Sequence, residues 1–240
     1  MLAACIGWVI SPTLGIADDH VVWGCEDAGY TSETTEYPHG VLGDTIEYKT
    51  LVMHVPTGVG KLEASLELPE GQVFEDIAPR CGDLDGDGEP EVVTIISDST
   101  GGARLALFSP LKGPIAETPP IGRANRWLAP VGIADMDGDG QNDVAYVEKP
   151  HIGGTLRVWT LRDGELVELA NANGFSNHRI GEDFITGGVR DCGQGAELVL
   201  PNFNWRTLMA VKMRDGGLWA KAIAEKTDPE TVAAALACKQ

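Results

Sequence analysis

Asp83-Leu84-Asp85-Gly86-Asp87-Gly88-Glu89-Pro90-Glu91-Val92-Val93 returns 52 residues later as Asp135-Met136-Asp137-Gly138-Asp139-Gly140-Gln141-Asn142-Asp143-Val144-Ala145. Both follow an Ala-Pro pair (Ala78-Pro79, Ala129-Pro130), then run Asp-x-Asp-Gly-Asp-Gly-x-x-acid into an apolar segment. A period of about 50 residues marks stacked supersecondary units or propeller blades. Two weaker copies flank the pair. Gly187 to Val199 keeps the Gly-rich turn and the apolar segment after it but loses most of the aspartates, and His39 to Tyr48 is more eroded still.

Alternating aspartates on a curled backbone aim their carboxylates at one centre. Glycines at the fourth and sixth positions permit the positive φ that such a curl demands. A hard divalent cation takes six to eight oxygen ligands, and this pattern supplies them for calcium better than for magnesium, which keeps its waters. The expected ligands in the first loop are Asp83, Asp85, Asp87, the backbone carbonyl of Glu89, and Glu91. In the second they are Asp135, Asp137, Asp139, the carbonyl of Gln141, and Asp143. Ion-free, carboxylates this close raise one another's pKa. A helix-flanked calcium loop would need a bidentate Glu at position 12. Thr94 and Tyr146 stand there, inside apolar strand-like runs, so each loop reads as a strand-to-strand turn holding one Ca2+.

Working outward, short strands are expected at Ile46–Val55, Lys61–Leu68, Glu91–Ser97, Ala103–Ser109, Val144–Glu148, Thr155–Leu161, Glu197–Leu200, Thr207–Met213 and Leu218–Ala224, separated by Gly, Pro and Asn turns. Thirty Gly and 14 Pro in 240 residues agree with a turn-rich all-β chain. Four turns give units of about 55 residues, each the size of a four-stranded blade. His20 to Gly24 is expected to complete the last unit and close the ring. Asp228 as cap, Pro229 in the first turn and the Ala-rich run after Thr231 predict a C-terminal helix over 228–240.

The two acidic loops, with the strands that enter and leave them, resemble the FG-GAP and VCBS repeats of integrin α-subunit β-propellers and of many bacterial exported proteins. The resemblance covers Ile46 to about Ala224. It implies a β-propeller of four blades, or of five, with calcium in the loops. It implies no reaction, because such repeats serve as binding scaffolds and as appendages to enzymes.

Residues 1–17 read as a secretion leader: Met1 to Ile16 carries no charge, and Gly15-Ile16-Ala17 places small residues at a cleavage site. Residues 18–227 are then the repeat domain, in a periplasmic or secreted protein. Lipidation at Cys5 is the weaker alternative. Cys25, Cys81, Cys192 and Cys238 remain; three pairings are open, and free buried thiols are the alternative. No other stretch is long and apolar enough to span a bilayer. The net charge of −18 repels phosphate backbones and argues against nucleic acid.

No His-Glu-x-x-His, Gly-x-Ser-x-Gly, phosphate-loop or dinucleotide fingerprint occurs. The one unusual polar cluster, around His178 and Glu182 with Arg123 and Trp127, is weighed as the pocket of a hydrolase-like enzyme against a set of buried structural bonds. The leading expectation is a monomeric, non-enzymatic, calcium-binding module whose propeller face binds a protein or glycan partner.

Overall fold

The computed structural model describes residues 7–10, 28–57 and 60–239, with backbone alone at 7–10 and 56–57. Of the expected leader, this leaves only Gly7 to Ile10. The expected strand at His20–Gly24, Cys5 and Cys25 lie outside the described residues. The chain is all-β with one short helix and divides into two compact units, Met1–Gly40 with Asp44–Arg126, and Val41–Gly43 with Trp127–Gln240.

The first unit holds β1 (Gly7–Ile10), β2 (Ala28–Thr34), β3 (Glu47–Thr57), β4 (Gly60–Glu67), β5 (Gln72–Phe74), β6 (Arg80–Gly82), β7 (Glu91–Asp98), β8 (Gly102–Ser109) and β9 (Gly113–Glu117), all in one antiparallel sheet. Two meanders compose it. In one, β2, β3 and β4 pair in sequence and β1 lies on the far edge of β4. In the other, β6 to β9 pair in sequence. The meanders join where β5 pairs with β7 and touches β3 at Tyr48↔Phe74.

β7 carries the run Val92-Val93-Thr94-Ile95-Ile96, whose β-branched side chains suit a pleat covered on both faces; Glu91 to Ser97 are all buried. The unit's core follows the period of two: Leu51, Met53 and Val55 on β3, Leu66 on β4, and Ile96 and Phe108 on β7 and β8 form one cluster. Between β5 and β6 the chain turns on Asp76, which takes Ile77 N–H (2.8 Å) and both of its oxygens onto the Arg80 guanidinium (2.9 and 2.8 Å).

The second unit contains two four-stranded antiparallel meanders: β10 (Leu128–Ala134), β11 (Asp143–Glu148), β12 (Thr155–Arg162) and β13 (Glu165–Asn173), then β14 (Gly188–Asp191), β15 (Ala196–Pro201), β16 (Leu208–Arg214) and β17 (Gly217–Ala224). Asp163-Gly164 and Asp215-Gly216 close the last hairpin of each, with φ of +52° and +77° in one and +50° and +72° in the other. Two positive φ values in a two-residue turn match the twist of the flanking strands. Ala145, Val147, Leu156 and Val158 pack against Leu198, Leu200 and Val211 of the other sheet. The sheets remain open among the described residues.

Helix α1 (Pro229–Leu236) starts as its sequence dictates. Asp228 accepts the Thr231 N–H at 3.0 Å, Pro229 opens the first turn, and Val232 and Ala235 bury against Val199 and Leu208. A disulfide joins Cys192, in the β14–β15 turn, to Cys238 just past the helix, with Cα atoms 5.7 Å apart. Cys81 is disulfide-bonded too. These bonds replace the free-thiol alternative at three cysteines.

Candidate metal centres

Both acidic loops join the first and second strands of a meander: residues 83–90 link β6 to β7, and residues 135–142 link β10 to β11. Their hydrogen bonds match one for one. Asp83 accepts Gly86 N–H at 2.7 Å and Gly88 N–H at 3.0 Å; Asp135 accepts Gly138 and Gly140 at the same distances. Asp85 and Asp137 each accept the N–H two residues on, at 3.1 Å. Asp87 and Asp139 do so at 2.9 Å. All four loop glycines have φ between +78° and +91°, a region other residues enter only with strain.

Position 2 supplies an anchor that local pattern did not reveal. Leu84 and Met136 are buried, between a half-buried Asp83 or Asp135 and an exposed Asp85 or Asp137. The N–H of each donates to the position-9 acid, Leu84 to Glu91 (2.8 Å) and Met136 to Asp143 (3.0 Å). The apolar side chain therefore pins the loop to the core and holds the last carboxylate under its first turn.

In each loop three acids offer oxygens within 4.8 Å of one another: Asp83, Asp85 and Glu91, and Asp135, Asp137 and Asp143. Asp87 and Asp139, expected as ligands, are outside these groups. Asp87 instead meets Lys112 Nζ at 2.5 Å, and Asp139 lies 3.8 Å from Arg162. Gln141 sends its side-chain amide to the Leu161 carbonyl at 2.8 Å. Thr94 and Tyr146 sit buried in β7 and β11, so neither loop opens into a helix.

The position-9 acids carry the electrostatic load. Burial pushes Glu91 up to about 7; the Leu84 N–H opposes this, while Asp85, Asp87 and Asp83 add to it. Burial likewise raises Asp143 to about 6, against the Met136 N–H and Thr160, with Asp137 and Asp139 adding to it. One oxygen of Asp143 is buried with no hydrogen-bond partner. The Thr160 hydroxyl, opposite in the β11–β12 register, tempers the shift but makes no bond of ordinary geometry. A buried acceptor without a donor costs about 1–3 kcal/mol. Oxygen-only donors, three convergent carboxylates and an orphaned lone pair fit a hard cation such as Ca2+.

The weighed alternative site comes together in part. In the second unit the His178 ring meets the edge of Trp127 at 4.8 Å. His178 Nε2 donates to the Glu182 backbone carbonyl at 2.8 Å, and Nδ1 pairs with His151 Nε2 at 3.0 Å. Both ring nitrogens are engaged, and burial lowers the pKa. The Glu182 carboxylate turns instead to Arg179, at 3.3 Å. Arg123 belongs to the first unit. Around His178, Ser176 and Asn177 are fully buried and bond to the carbonyls of Pro150, Ala129 and Pro130. These bonds lock the β13–β14 connection onto β10 and the β11–β12 turn.

Residues 83–146, which span both loops, match the FG-GAP-like repeat family. Among curated proteins, none matches the sequence. Solved structures similar to the chain include the rhamnogalacturonan lyase YesW, with 17% identity over 76% of this chain and 44% of that one and a TM-score of 0.47. The exotype rhamnogalacturonan lyase YesX shows 16% identity over 72% of this chain and 41% of that one, with a TM-score of 0.45. The rhamnogalacturonan lyase PL11 of Bacillus licheniformis shows 15% identity over 72% and 42%, with a TM-score of 0.44. The chain spans less than half the length of these structures.

Proposed function

We propose that this chain is a calcium-stabilised, non-enzymatic module of β-propeller type in an exported protein. Each acidic loop holds one Ca2+, and the propeller face binds a protein or glycan partner. One observation carries the reading: the buried, unpartnered oxygen of Asp143, one of three convergent acids at a loop whose hydrogen bonds repeat those of its counterpart 52 residues earlier. In support of blades, three meanders of four consecutive strands (β6 to β9, β10 to β13, β14 to β17) place the repeat turn on the same connection. In support of export, cytosolic thiol pools keep cysteines reduced, whereas Cys192 and Cys238 are joined.

Calcium acts here as a staple. The site is assembled only when β6 meets β7 and β10 meets β11, so binding energy adds to folding energy. Thermal unfolding of the purified chain in calcium and in chelator tests this. The midpoint is expected to fall in chelator, and an unchanged midpoint would remove calcium from the structure. Capture of partners from the exported fraction, in calcium against chelator, tests the binding face. A calcium-dependent protein or glycan is the expected product, and turnover of a glycan by the purified chain would overturn the non-enzymatic reading.

A further inference from the structure

The two loops agree in the five backbone-to-carboxylate hydrogen bonds described above and differ in what faces them. Lys112 Nζ lies 2.5 Å from Asp87 and 3.2 Å from Asp85 in the first loop, so one ammonium bridges the carboxylates of positions 3 and 5. The pairing holds Asp87 below the usual carboxylate range, the Lys112 hydrogen bond being the largest cause, and raises Lys112 itself. In the second loop no basic side chain among the described residues pairs with Asp135, Asp137 or Asp143; Arg162 reaches only Asp139, at 3.8 Å.

The difference originates in the neighbouring hairpin. The β8–β9 turn is Pro110-Leu111-Lys112, with the Ser109 hydroxyl accepting the N–H of Leu111 and of Lys112, which fixes the turn from which the lysine extends. The corresponding β12–β13 turn is Asp163-Gly164 and offers no cation.

We propose that Lys112 is a built-in counter-ion that sets the calcium affinity of the first loop below that of the second, so that the sites fill in order, the second loop first. This rests on the calcium reading of both loops. An ion entering the first loop must displace or face a positive charge that already pairs with Asp85, one of its three convergent carboxylates, and with the neighbouring Asp87. In the second loop the three convergent carboxylates have no ion pair among the described residues: Arg162 reaches only Asp139. Lys212 and Arg214 line the cavity beside Asp135 and Asp137 without pairing with them, Lys212 being turned to the Gln194 carbonyl, and one buried Asp143 oxygen has no hydrogen-bond partner. Lys112 thus ranks two sites that share one loop geometry.

The test is calorimetric titration of the full chain with Ca2+ at low ionic strength, with Asp137→Asn silencing the second loop. Wild type is expected to bind in two steps, and Asp137→Asn to remove the tighter one. Adding Lys112→Met, which keeps the aliphatic stem and removes the charge, is expected to tighten the remaining step about tenfold, with the gain shrinking as salt screens it. Lys112→Arg keeps the charge and is expected to leave the step within about twofold. Lys112 is more than half exposed, so these variants do not disturb the core. Tightening absent in Lys112→Met, or a first loop tighter than the second in wild type, overturns the ranking while calcium binding stands. No calcium uptake by wild type overturns the calcium reading and this proposal with it.

Discussion

Replacing Asp143 by Asn separates a carboxylate kept for a cation from one kept for its hydrogen bond, because the two roles give effects of opposite sign. Without an ion, burial raises the Asp143 carboxyl from 3.8 to about 6. Between those values the folded state holds a proton that the unfolded state has released. Ion-free stability therefore falls as pH rises through that window, and the full cost is present above it. At about 1.4 kcal/mol per pKa unit, this is on the order of 3 kcal/mol at neutral pH. The neutral amide removes that cost and can still present an oxygen to the Met136 N–H, giving up roughly 1 kcal/mol of charge-assisted bonding. In chelator the variant should then be more stable than wild type by about 1–2 kcal/mol. In calcium at a hundredfold excess over Kd, wild type gains about 2.7 kcal/mol, and the variant loses a ligand and most of that gain. Urea unfolding of both proteins in both buffers at neutral pH reads the four free energies directly. A variant equally destabilised in chelator and in calcium would refute the reasoning, since Asp143 would then be a structural acceptor only.

Glu47→Gln should stabilise the first unit increasingly as pH rises from 4.5 towards 9, because burial, then Glu75, Asp44 and Asp76, raise this carboxyl to about 9; the gain should be about 1–3 kcal/mol at neutral pH, and urea unfolding across that range that shows no pH-dependent gain would count against it. Gly138→Ala meets no atom within 4 Å of the new Cβ and should cost only backbone strain, about 1–2 kcal/mol in thermal unfolding. Gly154→Ala would place Cβ 1.7 Å from the Phe175 carbonyl oxygen and should cost more than about 4 kcal/mol or abolish folding. Cys238→Ser should lower stability by about 2–4 kcal/mol and free the α1 amides to exchange with solvent, because a helix this short is marginal without its tether.

The acidic loops were legible because all their parts are contiguous: aspartate spacing, enabling glycines and the strand that follows fall within eleven residues, twice. Strands of β-branched and apolar residues, such as Glu91–Asp98 and Thr155–Arg162, were expected to within a residue or so for the same reason. Glu165–Asn173 was not, since Glu-Leu-Val-Glu-Leu-Ala-Asn-Ala-Asn carries no strand signal of its own. The Asp163-Gly164 turn and eight residue pairs with β12 impose extension on it, a tertiary override of propensity. Gly113–Glu117 begins with Gly-Pro and is held only as an edge against β8. Lys112 was invisible for a different reason: 25 residues separate it from Asp87, and only the pairing of β7 with β8 and β8 with β9 carries its turn back over the loop. The engaged nitrogens of His178 likewise depend on His151, from another turn.

The third repeat turn shows how the same connection closes without clustered carboxylates. It occupies the β14–β15 connection, the place taken by the acidic loops in the other meanders, but spans only residues 192–195 where they span 83–90 and 135–142. One carboxylate replaces several. Asp191 Oδ1 accepts the N–H groups of Gly193, Gln194 and Gly195 at 2.7, 3.0 and 3.0 Å, which closes the turn with no clustered charge to neutralise. Lys212 Nζ caps the Gln194 carbonyl at 2.5 Å, and the Cys192–Cys238 disulfide ties the turn covalently to the end of α1. A long acidic turn gathers carboxylates whose mutual repulsion a cation would relieve; a short turn on one aspartate, stapled by sulfur, has no such repulsion to relieve. Amide exchange in chelator should therefore rise at Met136 and Gly138 to Gln141 and stay unchanged at Gly193 to Gly195, while a reductant should reverse the pattern. Exchange rising equally in all three turns on calcium removal would show that the ion stabilises the whole fold through some route other than its own loops.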